Sequence, residues 1–242
     1  MKVTYICHSG FLVELEKKYL LFDYYRGEIP ELKKEKPLYV FSSHRHPDHF
    51  NSDVFLLAGR HSNVTYLLSH DIRIKPYLER ENLQVNLQDM IHTMRAGQNY
   101  QFPVQDGFME EVSGQEIQIT TLKSTDAGVA FLIRTEGKVL YHAGDLNWWH
   151  WEEEEEQYNH NMEVKFKKEV GKLAGLDIDA AFLPVDFRQG AAAYLGFEYV
   201  MSIANIKHAF PMHTWGQYHI IDKLCSNTAV LRVEREGQLW KI

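Results

Sequence analysis

Residues 41–50 read FSSHRHPDHF, which holds His44, His46, Asp48 and His49 at the spacing His-x-His-x-Asp-His. Imidazole nitrogen and carboxylate oxygen are the donors that zinc and similar ions bind, at about 2.0–2.2 Å. His44 and His46 are two residues apart, so in an extended segment both side chains leave the same side of the chain. Pro47 biases His46 toward an extended backbone and suits a chain about to turn into a helix. Asp48 and His49 then stand at that turn and can face a neighbouring position, so one loop can feed two metal positions. The plainer alternative is a surface loop with accidental histidines. Three His and one Asp at fixed offsets, directly after a buried strand, argue against it.

Something must hold this loop. The run 37–42 (PLYVFS) has the pattern of a buried strand and delivers the chain into the cluster. Residues 2–7, 11–16 and 19–24 read as antiparallel strands before it, with Lys17-Lys18 as a polar turn. After it, Asn51-Ser52-Asp53 offer helix caps, 54–59 reads as a short helix, 64–69 as a buried strand and 71–81 as a helix. The segment 83–113 mixes short apolar runs with Gly and Pro. Strands are predicted at 116–122, 129–135 and 138–142, the last two joined by a hairpin turn at Glu136-Gly137. Helices are predicted at 160–174, 197–206 and 216–226, strands at 178–184 and 208–212, and a closing hairpin at 228–234 and 238–242. The acidic run Glu152–Glu156 reads as a solvated helix face. No linker or repeat divides the chain, so one α/β (α+β) domain over 1–242 is expected.

Composition narrows the partners. The chain has 242 residues and a formal net charge of −7 from 26 basic and 33 acidic residues, with no basic stripe, which disfavours nucleic acid as substrate. A metal can supply local positive charge, so a small anionic substrate stays open. Two cysteines, Cys7 and Cys225, form neither a disulfide framework nor a zinc-knuckle spacing. No apolar run approaches the ~20 residues of a membrane span, and no secretory pattern opens the chain, so a cytoplasmic protein without membrane insertion is expected. A homo-oligomer is compatible with the tryptophan-rich stretch 146–151.

The segment 41–50 resembles the signature of the metallo-β-lactamase superfamily. That resemblance implies a four-layered αβ/βα sandwich and covers most of the chain, from residue 8 to residue 215. It implies that Asp145, in VLYHAGDLN, bridges two metals, and that His213, in AFPMHTW, is a late ligand. The motifs CHSGFLVELE, LLFDYY, YHAGD and PMHTW together are similar to a branch of small bacterial hydrolases related to ascorbate-phosphate lactonases and N-acyl-phosphatidylethanolamine phospholipases. In that branch His8 lies near the metal mouth, as a substrate or supporting group; a core or capping histidine is the alternative.

The chain departs from the family at one point. Where a further ligand histidine stands before a strand, TLKSTDAGVAFLI offers Ser124, Thr125 and Asp126. Three readings remain: Asp126 serves as an oxygen ligand, His70 folds in to supply the imidazole, or the first metal position is weak or empty. An added Asp126 would bring the negative charge of the cluster level with two divalent ions and a bridging hydroxide. It would also favour a harder ion, manganese or iron, over the zinc otherwise expected.

The implied chemistry is hydrolysis of a small ester, lactone or phosphate-containing substrate by a metal-bound hydroxide, with one or two divalent ions as cofactor and Asp48 orienting the nucleophile. Trp148, Trp149 and Trp215 are candidate pocket walls, Arg188 is a candidate clamp for phosphate or carboxylate or else a structural salt bridge, and His8 and His142 are candidate leaving-group acids. The competing classes are a nuclease of the same superfamily and a non-catalytic metal-binding or ligand-sensing protein.

Overall fold

The computed structural model describes residues 1–78, 87–102 and 116–242. Six strands come first: β1 (Lys2–Cys7), β2 (Gly10–Glu14), β3 (Tyr19–Phe22), β4 (Leu38–Ser42), β5 (Val64–Ser69) and β6 (Ile91–Met94). Four follow: β7 (Asn99–Phe102), β8 (Ile117–Lys123), β9 (Val129–Thr135) and β10 (Lys138–His142). The last five are β11 (Asp177–Ile178), β12 (Ala180–Pro184), β13 (Asn205–Ile206), β14 (Ala209–Met212) and β15 (Leu239–Lys241). The α-helices are α1 (Lys75–Leu78), α2 (Glu156–Val170) and α3 (Leu195–Ile203).

Two large sheets result, in the orders β15-β1-β2-β3-β4-β5-β6 and β14-β12-β10-β9-β8-β7, with β11 and β13 forming a small third. Period-two patterning divides the first sheet between two cores. In β3, Leu20 and Phe22 face the second sheet while Tyr19 and Leu21 face outward. In β4, Tyr39 and Phe41 face inward, and Leu38 and Val40 outward. The outward core is covered by Val54, Phe55 and Ala58 of the 3-10 segment Ser52–Gly59. Beyond the second sheet, Phe166 and Val170 of α2 and Phe197 and Val200 of α3 close the other side. The order is therefore helix, sheet, sheet, helix, the expected four layers.

Several segments differ from expectation. Residues 54–59 and 216–226 form 3-10 segments rather than α-helices, at Ser52–Gly59 and Tyr218–Leu224. The helix expected at 160–174 starts earlier, at Glu156, so the acidic run leads into its first turn, where the helix dipole favours negative charge. The helix expected at 197–206 ends at Ile203, and 205–206 becomes β13. No terminal hairpin forms: β15 pairs antiparallel with β1, and 228–234 contributes only an isolated bridge between Val230 and Ala209. Of the helix expected at 71–81, only Lys75–Leu78 is helical among the described residues; 79–81, and the parts of 83–113 within 83–86 and 103–113, lie outside them. No helix among the described residues is long and apolar enough to cross a membrane.

Parallel pairing decides where chemistry can gather. β3, β4 and β5 run parallel, as do β10, β12 and β14, so the carboxyl ends of each set open on one edge. Strand ends at such an edge are where α/β sheets collect ligands. Two glycines let the sheets meet there. Gly128 has φ +68, and a Cβ on it would lie 2.0 Å from the Ser43 carbonyl and 2.6 Å from His44 Cβ; Gly144, at φ +51, would meet Ser43 Cβ at 2.6 Å. We expect Gly128→Ala to lower unfolding free energy by about 3 kcal/mol or more, since it adds left-handed strain to a backbone clash. Urea denaturation checks this, and a wild-type midpoint would refute it.

Candidate metal centre

The histidines and carboxylates arrive from seven strand ends. His8 follows β1, Asp23 follows β3, Ser43 to His49 follow β4, and Asp126 lies between β8 and β9. Asp145 follows β10, Asp186 follows β12, and His213 follows β14. Their side chains converge in two groups that could each hold a metal ion: His8, Asp48, His49 and His213, and His44, His46, Asp126 and Asp145. Asp145 stands between the groups. Its Oδ1 is 3.1 Å from His49 Nε2 and 3.5 Å from His213 Nε2, and its Oδ2 is 3.5 Å from His44 Nε2.

The imidazoles are aimed from behind. Asp23 is fully buried after β3 and accepts hydrogen bonds from the Ser43 amide at 2.7 Å and the Ser43 hydroxyl at 2.6 Å. Its Oδ2 also lies 2.7 Å from His49 Nδ1. Ser43 Oγ in turn is 2.9 Å from His44 Nδ1. With the hydroxyl proton given to Asp23, His44 must donate Nδ1–H to Ser43. Both His44 and His49 then hold a proton on Nδ1, which leaves Nε2 as the atom that each turns into the centre. Asp186 stands behind His213 on the other sheet, its Oδ2 3.0 Å from His213 Nδ1. A carboxylate behind a ligating histidine fixes its tautomer and raises its basicity.

Backbone strain gathers at the same edge. His8, Asp23, His213 and Trp215 have φ of 56°, 40°, 64° and 55°, in the left-handed region that costs an L-residue about 1–2 kcal/mol. Such outliers persist where surrounding structure over-determines them, and at functional sites.

Do these residues fit a metal? His8 Nε2, His44 Nε2, His49 Nε2 and Asp145 Oδ1 are buried and lack any hydrogen-bond partner among the described residues. A buried polar atom left unpaired costs about 1–3 kcal/mol. Four such atoms converging on two four-membered donor groups are what a divalent cation would satisfy. The electrostatics agree. Burial opposes a charge on His49, but Asp145 and Asp23 hold its pKa well above the usual histidine value. Burial likewise opposes ionisation of Asp145, yet His49 and His213 hold it well below the carboxylate range. Burial pushes His8 and His44 down to about 4, so both are neutral and able to donate a lone pair at neutral pH. His8 and His44 are thus neutral donors, while His49 carries a positive charge held by Asp145 and Asp23, a charge that an ion bound there would replace.

A cavity of about 350 Å³ opens onto both groups. His46, Asp48, Asp126, Asp145 and His213 form its floor, and Trp149, Trp151, Tyr158, Met162 and Trp215 its walls, with Arg188 and Thr125 completing it. Trp149 is fixed by donating from Nε1 to the Asp145 carbonyl at 3.1 Å. Arg188 grips both oxygens of Asp186, through Nε at 2.9 and 3.0 Å and through Nη2.

Several candidates fall elsewhere. Trp148 does not line this cavity; it packs toward Phe166 and Tyr199 of the outer helices, with Lys167 Nζ 4.4 Å from its ring. His70 is exposed and belongs to neither donor group, so the structure places Asp126, and not His70, beside His44 and His46. His142 is buried against Phe22 and donates from Nε2 to the Ser9 carbonyl at 2.9 Å, away from the cavity. Ser124 accepts from the Asp126 amide at 3.1 Å, a turn that presents Asp126 two residues further on. His8, expected as a supporting group, joins a donor group, its Nε2 3.3 Å from Asp48 Oδ2. The sequence reading overlooked Asp23 as an anchor. Its signal was a carboxylate closing the apolar strand LLF, since a charge at that depth needs partners.

Two facing mixed sheets, helices outside them and a His/Asp cluster at one edge of strand ends define a metallo-β-lactamase fold. The chain belongs to the beta-lactamase superfamily domain family, whose model matches residues 2–164. It is 30% identical over 151 residues to a UPF0173 metal-dependent hydrolase of Opitutus terrae, across 60% of this chain and 63% of that relative, just under two thirds of its length. It is 26% identical over 235 residues to a UPF0173 metal-dependent hydrolase of Pelotomaculum thermopropionicum, across 89% of this chain and 86% of the relative. Among solved structures it is similar to Igni18, a metallo hydrolase of the archaeon Ignicoccus hospitalis, with TM-score 0.59, 19% identity and coverage of 100% and 98% of the two chains.

The anchoring role of Asp23 is testable. Asp23→Asn keeps the volume but removes the charge behind His49 and the Ser43–His44 pair. Affinity for zinc, measured by competition with a chromophoric chelator, should fall about 10–100-fold. Unchanged affinity in a variant with native circular dichroism would reject it.

Proposed function

We propose that the chain is a metal-dependent hydrolase of a small ester, lactone or phosphate-containing substrate. The observation that carries this is the convergence of buried, partnerless His8 Nε2, His44 Nε2, His49 Nε2 and Asp145 Oδ1 in two donor groups whose His46, Asp48, Asp126, Asp145 and His213 line an open cavity. The names of the relatives support the same class. The cavity, near the small end of the roughly 300–1,000 Å³ range of small-molecule sites, supports a substrate of metabolite size.

In this reading His8, Asp48, His49 and His213 would hold one ion, and His44, His46, Asp126 and Asp145 the other. Divalent ions bound there would act as Lewis acids, polarising the scissile oxygen and making water a competent nucleophile near neutral pH. Asp48 is the carboxylate of the donor group formed with His8, His49 and His213, and it also lines the cavity. Burial works against its ionisation, but His8 and His49 hold its pKa well below the usual range, so it stays an acceptor that can orient water. Trp149 and Trp215 both line the cavity and pack edge-on against His213. Asp126 makes the set richer in oxygen and more negative, which favours manganese or iron over zinc at that position.

Two experiments test this. Elemental analysis of protein purified without added metal should find manganese or iron at a substantial share of two sites, and Asp126→Ala should weaken one of the two ions by about tenfold or more. Near-stoichiometric zinc at both sites would overturn the preference. Against a panel of chromogenic esters, lactones and phosphodiesters, chelation should abolish turnover, restoring the metal should recover it, and His49→Ala should remove it. Two bound ions with no turnover across the panel would favour a ligand-sensing role instead.

A further inference from the structure

The walls of the cavity differ sharply from its floor. The floor is polar and acidic. The walls are aromatic, with a single strong cation: no lysine or other arginine lines the cavity among the described residues. Trp149 and Trp151 lie parallel within 2°, with centroids 5.9 Å apart. Trp215 lines the same cavity, is exposed and lies beside His213, its Nε1 tied to Asp186 at 3.3 Å. Arg188 sits between these surfaces, its guanidinium carbon 4.7 Å from the Trp215 ring centre and 5.9 Å from that of Trp151.

The ion pair of Arg188 uses only part of the group. Asp186 engages Nε and Nη2, and no hydrogen bond engages Nη1 among the described residues. A purely structural pair does not need an arginine held between aromatic faces and left partly open at a cavity rim. A guanidinium fixed on one edge by a carboxylate and on its faces by rings is preorganised to take an anion on its remaining edge. Flat aromatic walls favour a flat or apolar body, and water exclusion by the same rings strengthens the charged contact.

We propose that the cavity recognises a bifunctional substrate: an anionic group, carboxylate or phosphate, on the free edge of Arg188, and an apolar or planar portion between Trp215 and the Trp149–Trp151 pair. The proposal rests on the hydrolase reading, because it orients the remaining end of the substrate toward the donor groups of the floor. Arg188 is then a specificity residue. It also steadies Asp186 and through it His213, so a test must separate the two roles.

Calorimetric titration of the protein with its resident metal does so. The probes are phenylacetate, phenylphosphonate, phenylacetamide and acetate. Wild type should bind the two aryl anions, or one of them, about tenfold more tightly than the neutral amide. Arg188→Gln should erase that preference while leaving the neutral amide unchanged, and Arg188→Lys should retain most of it. Trp151→Leu should weaken every aryl probe and spare acetate. A preference confined to phenylacetate assigns the anion as a carboxylate, and one confined to phenylphosphonate assigns a phosphate. The proposal is overturned if the amide binds as well as the anions, if no aryl probe binds, or if Arg188→Gln weakens the neutral amide or releases the metal in parallel with the anions, which would make Arg188 a structural support alone. None of these readouts involves turnover, so an inactive ester panel beside a retained preference would reject the hydrolase reading and leave the subsite standing.

Discussion

A carboxylate with no access to solvent organises this centre. Asp23 lies at the end of a strand whose other residues are all apolar and buried, where an unpaired charge would be prohibitive. It is stable because Ser43 and His49 bring it donors, and those donors are the approach to the His44–His49 loop. The dependence is mutual. The loop cannot leave without stranding a charge, and the charge dictates which nitrogen of each histidine faces inward. Burial raises the pKa of such a group, yet the imidazoles of His142, His49 and His44 keep Asp23 ionised.

The second sheet repeats the device with a different partner. Asp186 holds His213, and Arg188 holds Asp186. Its low pKa comes against burial, from His213 and Arg188. The first anchor is sealed inside the molecule, whereas the second ends in an arginine at the cavity rim. One half of the centre is therefore fixed by the core, and the other half is connected to whatever enters the cavity. Gly128 and Gly144 keep the halves in register by leaving room for Ser43 and His44 between the sheets.

Much of this was legible in the sequence because it depends on local order. Period-two alternation reports two-faced burial, so the strands carrying the site stood out, and the His-x-His-x-Asp-His spacing reports a metal loop wherever such a strand ends. What escaped depends on distance. Asp23 is 26 residues from His49, and nothing in LLFDYY says which histidine it will meet. Trp148 and Trp149 are neighbours with the same chemistry, and only the packing of α2 and α3 sends one outward and the other to the cavity. The expected 54–59 and 216–226 helices became 3-10 segments, a tighter winding that apolar spacing over two turns does not distinguish. The final strand closed on β1 because a hairpin partner and a distant sheet edge satisfy the same short apolar run equally well.

Where the family resemblance implies a ligand histidine this chain has Ser124, whose hydroxyl accepts from the Asp126 amide in a turn that sets the Asp126 carboxylate beside His44 and His46. A column in an alignment and a point in space are thus different addresses. Any survey that sorts members of this superfamily as intact or degenerate by the residue in that column would file this chain among the broken ones. A survey by donor position would not.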